Sequence, residues 1–255
     1  MQFLIDDTRY FMREETEGIF SLMNMKTNQM FSFLSPGRLL LKHAGQWTDF
    51  DQFVRSIHTK TPQDKVRKMF SSMLFELHAG GLAQLKDIPE GDFTGIRMAD
   101  KNDYYHLSVF CRKYCAKGFS CARVVSGFYY GLSGIYQRLQ KHDEMIMMEQ
   151  ENGKIRAVLI AAVSERFFGG SIPELVSFIF DDSLTQEECA RLTCRLSDAA
   201  AAQLGRPSTK IRYEHTDPRQ DFIASVLEQN GFEKTAVFAA EISGKGTLSL
   251  YDKQI

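Results

Sequence analysis

The chain has 255 residues, room for two domains of ordinary size, and its 44% hydrophobic and 25% charged residues are the composition of a protein that folds around a core. Its 31 basic and 32 acidic side chains leave a net charge of −1, without the basic excess by which general nucleic-acid binders hold phosphates. The longest apolar run, Ala157 to Val163, is far shorter than the ~20 residues that span a bilayer, and the opening MQFLIDDTRY has acids where a signal peptide has basic and apolar residues, so the expectation is a cytoplasmic protein that binds neither nucleic acid nor membrane.

Strand-like runs come first: residues 9–14, a turn at Glu17 and Gly18, residues 19–25, and residues 29–34 after Asn28. Ser35 as N-cap with Pro36 at the first helical position predicts a helix through Leu39, Leu40 and Leu41. Thr48 is a second N-cap with Asp51 three residues on, and Phe50, Phe53, Val54 and Ile57 share one helical face. Thr61 and Pro62 open a third helix, with Val66, Met69, Phe70, Met73, Leu74 and Leu77 at spacings of three and four, ended by Gly80 and Gly81. The order is three strands, then three helices. Pro89 and Gly91 then interrupt any regular element, which divides the chain into domains at 1–88 and 93–255. Up to Gly91 there are 11 basic and 11 acidic side chains, and beyond it 20 and 21, so neither part has a charge bias.

The second part begins with a strand at 94–99 and helices at 103–118 and 122–139. Strands at 144–150 and 154–163 flank Asn152 and Gly153, a strong hairpin signal. Pro173 leads into a strand at 174–181, and Thr185 with Glu188 forms a capping box for a helix to Leu204. A strand at 210–215, a helix at 218–229, and strands at 237–242 and 247–251 around the turn 243–246 complete the chain. Gly169 and Gly170, after Phe167 and Phe168, read as a cleft-lining loop or simply as a turn. The five cysteines stand at 111, 115, 121, 189 and 194, with no CxxC pair. Three within eleven residues raise an iron–sulfur site, but the better reading is small hydrophobes in a reducing compartment, with no metal. No HExxH, GxSxG or Walker pattern is present; a Cys189–His215 nucleophile pair is left open.

The run GIFSLMNMKTNQMFSFLSPGRLLLKHAGQWTDFDQFV, followed by KVRKMFSSMLFELHAGGL, resembles the PqqD-like domain, whose relatives act as recognition elements for the leaders of ribosomally made peptide natural products. The resemblance covers roughly residues 5–86 and implies a winged helix-turn-helix on which a leader peptide adds as a strand beside the third strand and against the third helix. On this chain that implies Met30, Phe31, Ser32 and Phe33 on the strand, and Lys65, Lys68, Met69, Ser72 and Met73 on the helix. Plain core packing is the alternative for Met69 and Met73, and a solvated face for the two lysines.

From residue 93 the order of elements, with VLEQNGFEKTAVFAAEI and the helix ending AAAAQLG before KIRYEH, resembles the GNAT acyltransferase fold, a mixed β-sheet flanked by helices. The resemblance implies acyl-CoA or acetyl-CoA as cofactor, held along Ser177, Phe178 and Ile179 and by a glycine-rich phosphate loop that falls on Leu184, Glu187 and Cys189. That loop has no glycine here, and Glu187 and Glu188 set two carboxylates where a pyrophosphate would sit. The family's usual acid, a Tyr, is replaced by Leu227. Glu174, Tyr213 and His215 remain as acid or base candidates at strand ends, against the plainer readings of a solvated strand start for Glu174 and a loop residue for His215. The leading expectation is therefore a peptide-modifying enzyme that binds a precursor leader and moves an acyl group from acyl-CoA to an amine of the core peptide. The alternative is a non-catalytic precursor-binding partner that docks another maturation enzyme. A DNA-binding regulator with a sensor domain is a third reading, which the charge disfavours.

Overall fold

A computed structural model of the chain describes residues 1–16, 18–123, 129–141, 144–165, 171–204, 210–242 and 246–255. It divides into two compact units, Met1–Glu90 and Gly91–Ile255.

The first unit contains β1 (Gln2–Ile5), β2 (Tyr10–Thr16), β3 (Ile19–Asn24), β4 (Met30–Leu34), α1 (Arg38–Leu41), β5 (Thr48–Asp49), α2 (Phe50–Ser56), α3 (Gln63–Ala79) and β6 (Ala83–Lys86). The strands form an antiparallel meander β2-β3-β4 and a second sheet β5-β1-β6. The meander is the strand trio expected from the sequence. The second sheet is not, because its strands are two to four residues long and far apart in sequence. It also moves a cap: Thr48 pairs with Phe3 in that sheet, so Asp49 caps α2 by accepting the Gln52 N–H at 2.8 Å. Ser35 caps no helix; its N–H donates to the Gly18 carbonyl at 2.8 Å as the last rung between β3 and β4.

One face of the meander packs on α3. Phe20, Phe31 and Phe33 join Phe3, Phe53 and Phe70 in a buried aromatic core, with Phe53 edge-on to Phe70 at 5.1 Å. Met73 packs against this core, in line with the packing reading, whereas Met69 is exposed. Buried Asn24 ties the turn after β3 to the end of α3: its amide donates to the Gly80 carbonyl at 2.8 Å while its carbonyl oxygen accepts the Lys26 N–H at 2.9 Å. Gly80 is pressed against the Phe31 ring, where a β-carbon would collide, and Gly81 follows in the left-handed region at φ +74°. Gly80→Ala should therefore push Phe31 out of place and lower the unit's stability by about 1–3 kcal/mol, read as a fall in urea midpoint; an unchanged midpoint would show that the contact carries no weight.

The second unit contains β7 (Gly95–Met98), α4 (Tyr104–Tyr114), β8 (Cys121–Ala122), α5 (Leu132–Lys141), β9 (Glu144–Glu151), β10 (Lys154–Glu165), β11 (Ser171–Phe180), α6 (Gln186–Leu204), β12 (Lys210–His215), α7 (Asp221–Gln229), β13 (Glu233–Ile242) and β14 (Gly246–Gln254). Seven strands form a sheet in the order β13-β14-β12-β11-β10-β9-β7, and β8 joins it on β11. β11 and β12 run parallel, and the other pairings are antiparallel. The β9–β10 hairpin turns on Asn152 and Gly153, both at positive φ, as the dipeptide demands. α6 and α7 cover one face, where Leu192, Leu196, Ile223 and Leu227 pack on Leu175, Phe178 and Tyr213. The helix expected from Ala122 to Leu139 is not continuous: Cys121 and Ala122 are extended, and α5 begins at Leu132. Residues 167–170 and the turn at 243–245 lie outside the described residues.

Candidate functional site

The centre of the second unit is the junction of β11, β12 and β8. Along one edge β11 pairs with β10. On the other it pairs with β12 only at Glu174–Arg212 and Leu175–Tyr213. Between these rungs and the next stretch lies a β-bulge: Leu175 faces Ala161 and Ser177 faces Ile160, which leaves Val176 without a partner opposite. Past the bulge the edge is taken by β8, with Ser177 opposite Ala122 and Phe178 opposite Cys121. Ser120 extends the join, its hydroxyl accepting the Phe180 N–H at 2.9 Å.

The bulge also decides which side chains meet. Leu175 and Phe178 face the α6 side together, so Glu174 and Ser177 share the opposite face. The buried Ser177 hydroxyl accepts the Arg123 N–H at 3.2 Å and the Tyr130 hydroxyl at 3.4 Å. Arg123 then carries its guanidinium between two carboxylates, Glu174 on β11 and Glu214 on β12. Burial pushes the Glu174 carboxyl above the usual carboxylate range; Arg123 pulls it back and neighbouring Glu214 pushes it up again. Across the rung, Arg212 grips Asp252 with two hydrogen bonds of 2.7 and 2.9 Å, and Lys210 reaches the same carboxylate at 2.8 Å.

The three acid or base candidates do not form one site. Glu174 is on the Arg212 face of the sheet, while Tyr213 and His215 alternate to the other. Tyr213 is a core residue, 1% exposed, with Cys121 Sγ 3.8 Å from its hydroxyl, and burial drives its pKa far up. His215 pairs through Nε2 with Asp221 Oδ1 at 2.7 Å and lies edge-on to Tyr251. Leu227 is fully buried. The missed residue is Arg123, which joins Glu174 to Glu214 across 51 and 91 positions of sequence; no local pattern announces it.

The phosphate-loop positions are equally occupied. Thr185 and Glu188 make the expected capping box, with the Thr185 N–H donating to Glu188 Oε2 at 2.8 Å and the Glu188 N–H to Thr185 Oγ1 at 3.3 Å. Leu184 and Cys189 are buried, and burial, then Glu188, push the Cys189 thiol up to about 11. Glu187 is exposed. Phe178 and Ile179 are wholly buried. Ser177 and Phe178, where the sequence resemblance set acetyl-CoA, are paired with β8, and the α6 N-terminus is capped by the chain's own carboxylate.

In the first unit the strand candidates split by face. Phe31 and Phe33 are core, whereas Met30 and Ser32 are exposed. Lys65, Lys68 and Met69 are exposed on α3, and Ser72 is half-buried. Among the described residues, no three His, Cys, Asp or Glu side chains gather as metal ligands. No helix is long and apolar enough to cross a membrane.

No family model matches the sequence, and no curated protein matches it. Solved structures do match the fold. A putative acetyltransferase of the GNAT family from Desulfovibrio desulfuricans superposes with a TM-score of 0.51 at 10% identity, covering 62% of this chain and 97% of that one. The GNAT-family acetyltransferase from Streptococcus pneumoniae gives 0.49 at 18% identity, covering 63% and 98%. The ribosomal-protein-S5-alanine acetyltransferase from Vibrio fischeri gives 0.46 at 15%, covering 62% and 91%. At such identities the likeness defines the fold: a mixed α/β architecture of the GNAT acetyltransferase type.

The charge row beside the junction is open to test. Arg212 and Asp252 are 8% and 6% exposed, so Asp252→Asn leaves a buried guanidinium without its counter-charge and should cost about 3–5 kcal/mol. Burial alone would raise the Asp252 pKa, but the hydrogen bonds from Arg212 and Lys210 outweigh it and bring it down to about 2. A depressed carboxylate stabilises the fold above its unfolded pKa and stops doing so as pH falls through the folded one. Wild type should thus lose about 2 kcal/mol between roughly pH 4 and pH 2 that the Asn variant does not lose, measured by urea unfolding across that range.

Proposed function

We propose that this chain is a precursor-binding protein of ribosomal peptide maturation. Residues Met1–Glu90 work as a winged-helix leader-binding domain, and the GNAT-fold unit is a docking surface for another maturation enzyme. The observation that carries this reading is the open edge of β4, which pairs with β3 alone among the described residues. The Asn24 N–H donates to the Gln29 carbonyl and the Ser35 N–H to the Gly18 carbonyl, so by the two-residue alternation of an antiparallel ladder Phe31 and Phe33 bond to β3. Met30, Ser32 and Leu34 therefore turn their N–H and C=O groups to the open edge. An extended peptide added there meets main-chain partners at every second residue. On the outer face it lies next to Met30 and Leu34, 64% and 65% exposed, Met30 in the cross-strand row of Met23 and Phe11 and Leu34 in that of Ile19. This is the chemistry of an apolar, extended leader segment.

Acyl transfer from acyl-CoA to a peptide amine has the fold in its favour. It needs an available base near the donor, and Glu174 is engaged by Arg123 while His215 is on the other face of the sheet.

Selection of a random peptide display library on the full chain, followed by fluorescence polarisation of enriched peptides, tests the proposal. Ser32→Pro removes an edge donor while leaving the main-chain bonds of Phe31 and Phe33 to β3 in place; it also removes the 2.9 Å hydroxyl bond between Ser32 and Ser21, a loss that Ser32→Ala shares. It should weaken binding about tenfold or more, the worth of one lost main-chain bond with its partner left unsatisfied, while Ser32→Ala binds as wild type. Failure to enrich any peptide, or peptides indifferent to Ser32→Pro, would overturn it.

A further inference from the structure

We infer that β8 is an internal strand that fills the donor edge of the GNAT-fold unit, and that Arg123 locks it there. The inference concerns the second unit and is independent of peptide binding by the first.

Parallel strands that diverge past a bulge leave main-chain groups of the longer strand without partners, and buried groups of that kind must find some. On β11 those groups begin at Ser177, the first of the positions the GNAT resemblance assigns to the acyl donor. The chain itself supplies the missing partner, in Cys121 and Ala122. Side chains fasten the segment at both ends. Before it, Ser120 Oγ engages the N–H of Phe180 at 2.9 Å and its carbonyl at 3.3 Å. After it, the Arg123 N–H reaches Ser177 Oγ, and the Arg123 guanidinium spans Glu174 and Glu214.

The three charges explain why the segment stays. Glu174 and Glu214 stand on neighbouring strands with side chains only 11% and 14% exposed. Two carboxylates so placed repel one another and lose hydration, and a planar guanidinium that donates to both relieves the two costs together. Arg123 therefore ties β8 to β11 and β12 at once. Withdrawing β8 would expose a strand edge and remove the guanidinium that bonds both carboxylates, leaving Arg212, already held by Asp252, as a cation beside them. Next to it, the capped N-terminus of α6, with Glu187 and Glu188, offers a pyrophosphate no welcome. Occupied edge and acidic helix start act in the same direction: the unit keeps the acetyltransferase fold and has replaced the donor by a piece of itself.

The test uses the full chain. Isothermal titration with CoA, acetyl-CoA and palmitoyl-CoA is expected to show no binding at concentrations up to a millimolar. Amide hydrogen exchange should find residues 120–123 and 177–180 protected together. In Arg123→Ala both segments should exchange at least tenfold faster, while residues 19–34 of the first unit are unchanged. Micromolar binding of any of the three ligands by wild type would overturn the inference, as would fast wild-type exchange at 120–123 or identical exchange in the variant. If Arg123→Ala does not fold, Arg123→Lys, which keeps one charge but cannot span two carboxylates, takes its place, and the wild-type titration decides regardless. Ser32→Pro should alter none of these readouts, so the inference and the leader-binding proposal fail separately.

Discussion

The second unit depends on a single guanidinium placed between two carboxylates. β11 and β12 are parallel neighbours for only two rungs before they part, and each brings a glutamate to the parting point. Burial already pushes Glu174 toward its neutral form, so the pair is costly without a positive charge beside it. Arg123 makes the arrangement tolerable. Because it directly follows β8, it also fixes what fills the gap. The bulge at Val176 sets Ser177 on the face where Tyr130 and Arg123 reach it, and on the other face Tyr213 is buried against Cys121.

The two units handle strand edges in opposite ways. β11 has its exposed stretch covered from within, by two residues and a serine on either side of the ladder. Among the described residues β4 keeps its edge open, with large apolar side chains on the outer face and an aromatic core beneath. An open apolar strand edge is a ready template for another chain to pair with. The chain thus pairs a strand edge that is open among the described residues with one that it closes itself.

Local chemistry was legible in the sequence wherever a few adjacent residues decide the outcome. Asn152–Gly153 dictates its hairpin, Thr185 and Glu188 make their capping box, and Gly80–Gly81 ends α3. The order of elements was enough to indicate the GNAT-type sheet. What periodicity cannot carry is pairing over distance. β8 is two residues long inside a stretch with a helical pattern, and its partner lies more than fifty positions away. The same holds for β1, β5 and β6. The candidate acid and base residues share a place at strand ends, yet Glu174 aligns with Arg212, so it faces away from Tyr213 and His215. A one-residue matter of register separates groups that look adjacent in sequence-level topology. Phe31 and Phe33 went to the core by the same alternation that leaves Met30 and Ser32 outside.

The most direct measurement is a double-mutant cycle between Arg123 and Glu174, using Arg123→Ala, Glu174→Gln and the combination, with stability read from urea unfolding of the full chain. If Arg123 holds the strand junction together, the two substitutions interact, and the coupling energy is on the order of 1 kcal/mol or more. Strictly additive effects would mean that the guanidinium and the carboxylate do not sense each other, and that β8 is held by something else.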